Sequence, residues 1–134
     1  MPATNVEQEN IASVRRGFEA FGSQDMAALT RLFREDATWT AEETGVIGGN
    51  RTGRNDIFMM FGQLGQETQG TFNVVPSTFA ASGDQVFVRC TAAGKRNGKT
   101  LEADQVLIFT MTDGQVRDVR FFMHDYTANA DFWA

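Results

Sequence analysis

The residues whose types and spacing could do chemistry are few, and most sit in the last third of the chain. Asp104 interrupts an otherwise apolar strand whose continuous apolar run is Val106-Leu107-Ile108-Phe109. A carboxyl held away from water there would have its pKa raised and could act as a proton donor or a switchable acid. Asp125 follows Phe121 and Met123 at a spacing of two, which puts it on their face of an extended strand as the candidate partner carboxylate. His124 is the only histidine and so the obvious proton shuttle, although strict alternation turns it to the other face with Arg120, Phe122 and Tyr126. Glu42 and Glu43 stand at the end of an earlier strand, where a small shift of the loop would let either, Glu43 foremost, reach the same space. Each has a plainer reading as a solvated side chain at a strand end. A lone histidine without ligand spacing makes no metal site, and nothing in the pattern calls for a cofactor.

The elements that must position these groups are legible from periodicity. Val106-Leu107-Ile108-Phe109 is rich in β-branched and aromatic residues, and Asp113-Gly114 follows where a hairpin turn wants positive φ. Val116 to Tyr126 then runs back as a strand that is apolar on both faces, so both faces need cover. Earlier, Ile11, Val14, Phe18 and Phe21 recur at spacings of three and four, the stripe of an amphipathic helix. Asp25 is placed to cap a short second helix with Leu29, Leu32 and Phe33 facing inward. Ala37 to Ala41 reads as a strand and Glu42 to Gly53 as an irregular glycine-rich loop. Asn55 can cap a third helix with Ile57, Met60, Phe61 and Leu64 on its apolar face. From Gly70 onward turns at Ser82-Gly83-Asp84, Asn97-Gly98 and Asp113-Gly114 divide the chain into a four-stranded antiparallel meander. Helices first and sheet last is an α+β plan.

Composition bounds the function. A chain of 134 residues suits one domain, 1–134, and no linker, repeat or low-complexity tract divides it. A net charge of −5 without a basic stripe argues against nucleic acid and against anionic membranes. No apolar run approaches the roughly 20 residues needed to span a bilayer, and no leader is evident, so a soluble cytoplasmic protein is expected. The single Cys90 alternates with Val86 and Val88, which reads as core packing and excludes an intramolecular disulfide.

Three stretches, Leu32 to Trp39, Thr52 to Ile57 and Thr112 to Asp118, together with this element order, resemble the nuclear transport factor 2-like superfamily, and within it the SnoaL-like and ketosteroid isomerase-like proteins. The resemblance covers nearly the whole chain. It implies three N-terminal helices packed in the concave face of a curved, mostly antiparallel sheet, a cystatin-like, cone-shaped α+β barrel with an apolar cavity. It also implies that Asp104 faces the cavity with Val106 and Ile108, and that Trp39, Met60, Phe61, Phe121 and Met123 line it as substrate-binding residues.

The chain departs from its relatives at their catalytic positions. In ketosteroid isomerases an aspartate base works opposite a tyrosine and a protonated aspartic acid. The base position falls here on Ala41 and the tyrosine position on Gly17, while Asp104 stands near that of the acid. The acid–base aspartate of SnoaL-like cyclases aligns with Phe121. Two readings follow. The first is a cofactor-independent isomerase, cyclase, dehydratase or hydrolase acting on a small apolar or aromatic metabolite, with Asp104 as acid and Asp125, Glu43 or His124 as partner. The second is a binding protein for an apolar small molecule or a protein segment. Under either, an outer face carrying Leu101, Ala103, Leu107, Phe109, Met111 and Phe122 implies a homodimer. Phe132-Trp133 is left open between plugging the cavity, covering a neighbouring subunit and fraying.

Overall fold

The computed structural model describes residues 4–42 and 47–134. Helix α1, Asn5–Ser23, opens on a capping box in which Thr4 Oγ1 accepts from the Glu7 N–H at 3.1 Å and Glu7 Oε1 accepts from the Thr4 N–H at 2.7 Å. The other carboxylate oxygen of Glu7 accepts from the Gly83 N–H at 2.8 Å, tying the helix start to a hairpin turn. Helix α2, Met26–Leu32, is capped by Asp25, whose carboxylate accepts from the Ala28 N–H. Helix α3, Arg54–Glu67, starts two residues earlier than a cap at Asn55 would place it. Gly53, at φ 91°, is its N-cap, and Asn55 lies inside the first turn without capping it. A fourth helix, α4, Tyr126–Trp133, was not foreseen.

Strands β1 (Phe33–Ala41), β2 (Arg51–Thr52), β3 (Asn73–Ser82), β4 (Gln85–Arg96), β5 (Lys99–Thr112) and β6 (Gln115–Met123) form one sheet in the order β2-β1-β6-β5-β4-β3. β3 to β6 make the antiparallel meander, and β1 joins it parallel to β6. The turns at Asn97-Gly98 and Asp113-Gly114 have positive φ at both central residues, as a two-residue hairpin between right-twisted strands requires. The sheet is curved and unclosed, and the helices pack against it in the α+β, cystatin-like plan. Pro76 sits on the edge strand β3 beside a bulge, where its missing N–H breaks no interior ladder.

Register decides which side of β5 faces in, and it reverses the expected assignment. Leu107 pairs with Phe121, Gln105 with Met123 and Phe109 with Val119. Directly paired residues share a face, so Leu101, Gln105, Leu107 and Phe109 point to the concave interior and are buried. Asp104 and Val106 alternate to the convex side, where both are exposed. The expected outer face of Leu101, Leu107, Phe109 and Met111 is therefore core, and the expected cavity position of Asp104 is wrong. Val106 and Ile108 make the convex side apolar near the turn, but Glu102 and Asp104 share that side and are exposed, and a one-residue slip in the expected phase exchanges the faces. A bulge between Thr110 and Met111 shifts the phase again toward the turn. β6 also stops at Met123, short of the expected Tyr126, because Asp125 turns the chain into α4.

Candidate functional site

Between the helices and the concave sheet lies an interior space of about 100 Å³. Val14 and Phe18 of α1, Met60 and Phe61 of α3, and Leu107 and Phe121 of the sheet are among its walls. Its aromatic rings hold one another: Trp39 stacks on Phe121 at 6.1 Å between centroids and meets Phe61 edge-on at 5.9 Å, and Phe61 meets Phe21 edge-on at 5.1 Å. Such contacts fix the rings, so the space keeps its shape. α4 closes one side, contributing Asn129 and Trp133, both buried, with Trp133 Nε1 donating to Asn129 Oδ1 at 3.1 Å. Arg96 anchors that helix by donating to the carbonyls of Phe132 at 3.1 Å and Ala134 at 2.7 Å, and it also pairs with Glu67 at 3.2 Å. Lys99 Nζ donates to the Asp131 carbonyl at 2.6 Å, so two cations meet the negative end of α4. Phe132-Trp133 thus plugs the interior.

None of the described lining residues is ionisable. The polar side chains are Gln105, Asn129 and the indoles of Trp39 and Trp133. Gln105 Oε1 accepts a weak hydrogen bond from Cys90 Sγ at 3.9 Å. Burial, and secondarily the charge of Asp104, pushes the Cys90 thiol up to about 12, so it stays protonated at neutral pH. Trp39 Nε1 is buried and meets no acceptor among the described residues. Gly17 lies in the wall where the chain packs so closely that an added Cβ would come within 2.6 Å of Leu32 Cδ2.

The expected site residues divide. Trp39, Met60, Phe61 and Phe121 line the space. Met123 is buried opposite Gln105 without forming part of the wall. Asp104 stands on the convex face, its side chain 54% exposed, accepting from Thr91 Oγ1 at 3.2 Å and 3.8 Å from Arg89. Asp125 is the N-cap of α4, its carboxylate accepting from the Ala128 N–H at 3.0 Å, so it faces neither the interior nor Asp104. His124 is exposed, and its backbone N–H donates to the Asp104 carbonyl. Glu42 is exposed at the end of β1, and Glu43 lies outside the described residues. Among the described candidates, Asp104 and His124 adjoin through that backbone hydrogen bond, and neither they nor Asp125 line the interior. No group of three His, Cys, Asp or Glu side chains among the described residues could hold a metal ion. No helix there is long and apolar enough to cross a membrane.

Two interior polar residues were missed. Gln105 adjoins Asp104, and the signal that it faces in is that Glu102 shares the face of Asp104 while Leu101, Leu107 and Phe109 share its own. Asn129 and Trp133 are four apart, a spacing that places them together only once a helix is recognised.

A family model described as a SnoaL-like domain matches residues 14–119. Among solved structures, Bal32a, from a soil-derived mobile gene cassette, is similar with a TM-score of 0.94 and 37% identity over 97% of this chain and 100% of that one. A protein of unknown function with a cystatin-like fold from Xanthomonas campestris has a TM-score of 0.87 and 27% identity, covering 93% of this chain and 98% of its own. The uncharacterized protein Rv0034 of Mycobacterium tuberculosis is 27% identical over 122 residues, which is 90% of this chain and 93% of that protein.

Proposed function

The chain belongs to the SnoaL-like domain family of the nuclear transport factor 2-like superfamily, and from that premise we propose that it binds a small, neutral, largely apolar molecule in its interior, without acid–base turnover. The observation that carries this reading is the lining itself. Among the described residues, aromatic and aliphatic side chains are joined there only by amides and indoles, which neither take nor give a proton near neutral pH. General acid–base catalysis needs a titratable group within hydrogen-bond reach of the reacting atom, roughly 2.6–3.2 Å. Asp104, the acid expected to serve, is on the convex face.

Size narrows the ligand. Sites for drug-sized molecules run to roughly 300–1,000 Å³, whereas this interior holds about 100 Å³. A single small ring is the scale that suits it. Binding can be tested by calorimetric titration with cyclopentanone, benzene and benzoate across pH 5 to 9. We expect the neutral rings to bind with a Kd independent of pH and benzoate not to bind. An affinity, or a turnover, that titrates within that range would contradict the reading.

The assembly proposed with it is a homodimer through the convex face. Val75, Val106 and Phe122 are exposed there at 58%, 38% and 45%. Phe87 and Ile108, which pair with each other, continue the same apolar surface between them. A second copy of this face would cover it, with Arg89 and Arg120 at hand for a polar rim.

A further inference from the structure

Gln105 is a buried amide whose hydrogen-bonding capacity is only partly used among the described residues. It is 6% exposed, lies in the wall of the interior space, and has one hydrogen bond, in which its oxygen accepts from Cys90. The direction of that bond orients the amide. The Cys90 thiol is shut off from water and stays protonated, and the carboxamide oxygen, a far better acceptor than the thiol sulfur, turns toward its S–H. The NH₂ group is then left toward the cavity, and among the described residues it meets no acceptor. Trp39 Nε1 is a second N–H donor in the same wall that meets no acceptor among the described residues. Buried donors left unpaired are uncommon because each forfeits its hydration. Here both surplus groups are donors, and a ligand would have to supply acceptors.

We propose that Gln105 is the specificity-determining anchor of the interior site, and that the ligand is a neutral small-ring molecule carrying a hydrogen-bond acceptor, such as a ring ketone, seated on the Gln105 amide N–H. This rests on the binding reading above and adds the ligand's chemistry to it. Neutrality follows from the walls, because no cation among the described residues lines the space to compensate a buried anion. A ring follows from the stacked and edge-on aromatic surfaces around Trp39. An acceptor follows from the unspent donors.

The test uses a matched pair, cyclopentanone and methylenecyclopentane, which exchange C=O for C=CH₂ at nearly constant shape. Their hydration differs, so the informative quantity is the ratio of their dissociation constants in the wild type against that in Gln105→Leu. Loss of one good hydrogen bond should change that ratio roughly fivefold to tenfold against the ketone in the variant. Gln105→Met is the alternative should Leu disturb folding. A variant-free readout is the infrared carbonyl stretch of cyclopentanone bound to the wild type, expected below its frequency in alkane. If both molecules bind, the ratio is unchanged in the variants and the carbonyl stretch stays at its alkane value, the anchor is refuted while the binding site stands. If neither molecule binds the wild type, both the anchor and the binding reading fall.

Discussion

Trp133→Ala probes how the interior is closed. Trp133 is 2% exposed, its ring lies 4.8 Å from Phe132 and 6.2 Å from Phe72, and its Nε1 satisfies Asn129. Arg96 and Lys99 hold the carbonyls on either side through backbone contacts that the substitution leaves in place. The helix therefore stays docked and a void opens under it. Burying and then deleting an aromatic of this size costs about 3–5 kcal/mol. For a chain of 134 residues, each kcal/mol moves Tm by roughly 3–5 °C, so a fall of about 10–20 °C is expected. Differential scanning calorimetry measures it, and free indole provides the control. Indole refilling the void should restore stability with a logarithmic dependence on concentration, by about 2.7 kcal/mol at a hundred times its Kd. A loss under about 1 kcal/mol would mean that α4 is not a wall of the interior. A full loss without indole rescue would mean that the helix has detached.

Three further outcomes follow from the same geometry. Phe122→Asp, on the convex face, should convert a dimer to a monomer in sedimentation velocity at micromolar concentration while leaving Tm within a few degrees; a wild type that is monomeric throughout would refute the proposed assembly. Asp104→Asn should cost no more than about 1 kcal/mol and leave ligand affinity unchanged, since a pair this exposed to water contributes little; a large loss of binding would put Asp104 back at the site. Cys90 should be silent to thiol reagents at pH 8 in the native state. Because its folded pKa is raised from 9.0 to about 12, its contribution is fully present below pH 9 and is lost as pH climbs toward 12. Cys90→Ala should flatten that alkaline limb in denaturant titrations.

The parts of the fold that could be read from residue types were those fixed by local chemistry. Asp25 could cap α2 because its side chain reaches an N–H three residues on, and Asn97-Gly98 and Asp113-Gly114 could only be tight turns. The stripe of Ile11, Val14, Phe18 and Phe21 needed a helix whatever it packed against. The candidate site was less legible, because it depends on the phase of β5, and Leu101 to Phe109 carries apolar residues on both sides. Pairing with β6 sets that phase across the sheet, through Leu107 against Phe121, and the local signal for it is the pair of acids Glu102 and Asp104 on the face of Val106 and Ile108. α4 was hidden for a different reason. Tyr126 to Trp133 has no apolar repeat, and its helix is held by the Asp125 cap at one end and by Arg96 and Lys99, distant in sequence, at the other. Asn55 yielded to Gly53 because the chain enters α3 at positive φ, which a glycine adopts without strain.

The central claim is that the interior between α1, α3, α4 and the concave sheet takes up a small neutral ring. Its most direct test is a ¹H–¹⁵N NMR titration of the wild type with cyclopentanone, following the side-chain signals of Gln105, Asn129, Trp39 and Trp133. The account predicts saturable shifts on these four, with the Gln105 amide protons moving most, and none on Arg89 or Arg120 of the convex face. Shifts confined to the convex face, or none at any concentration, would contradict it.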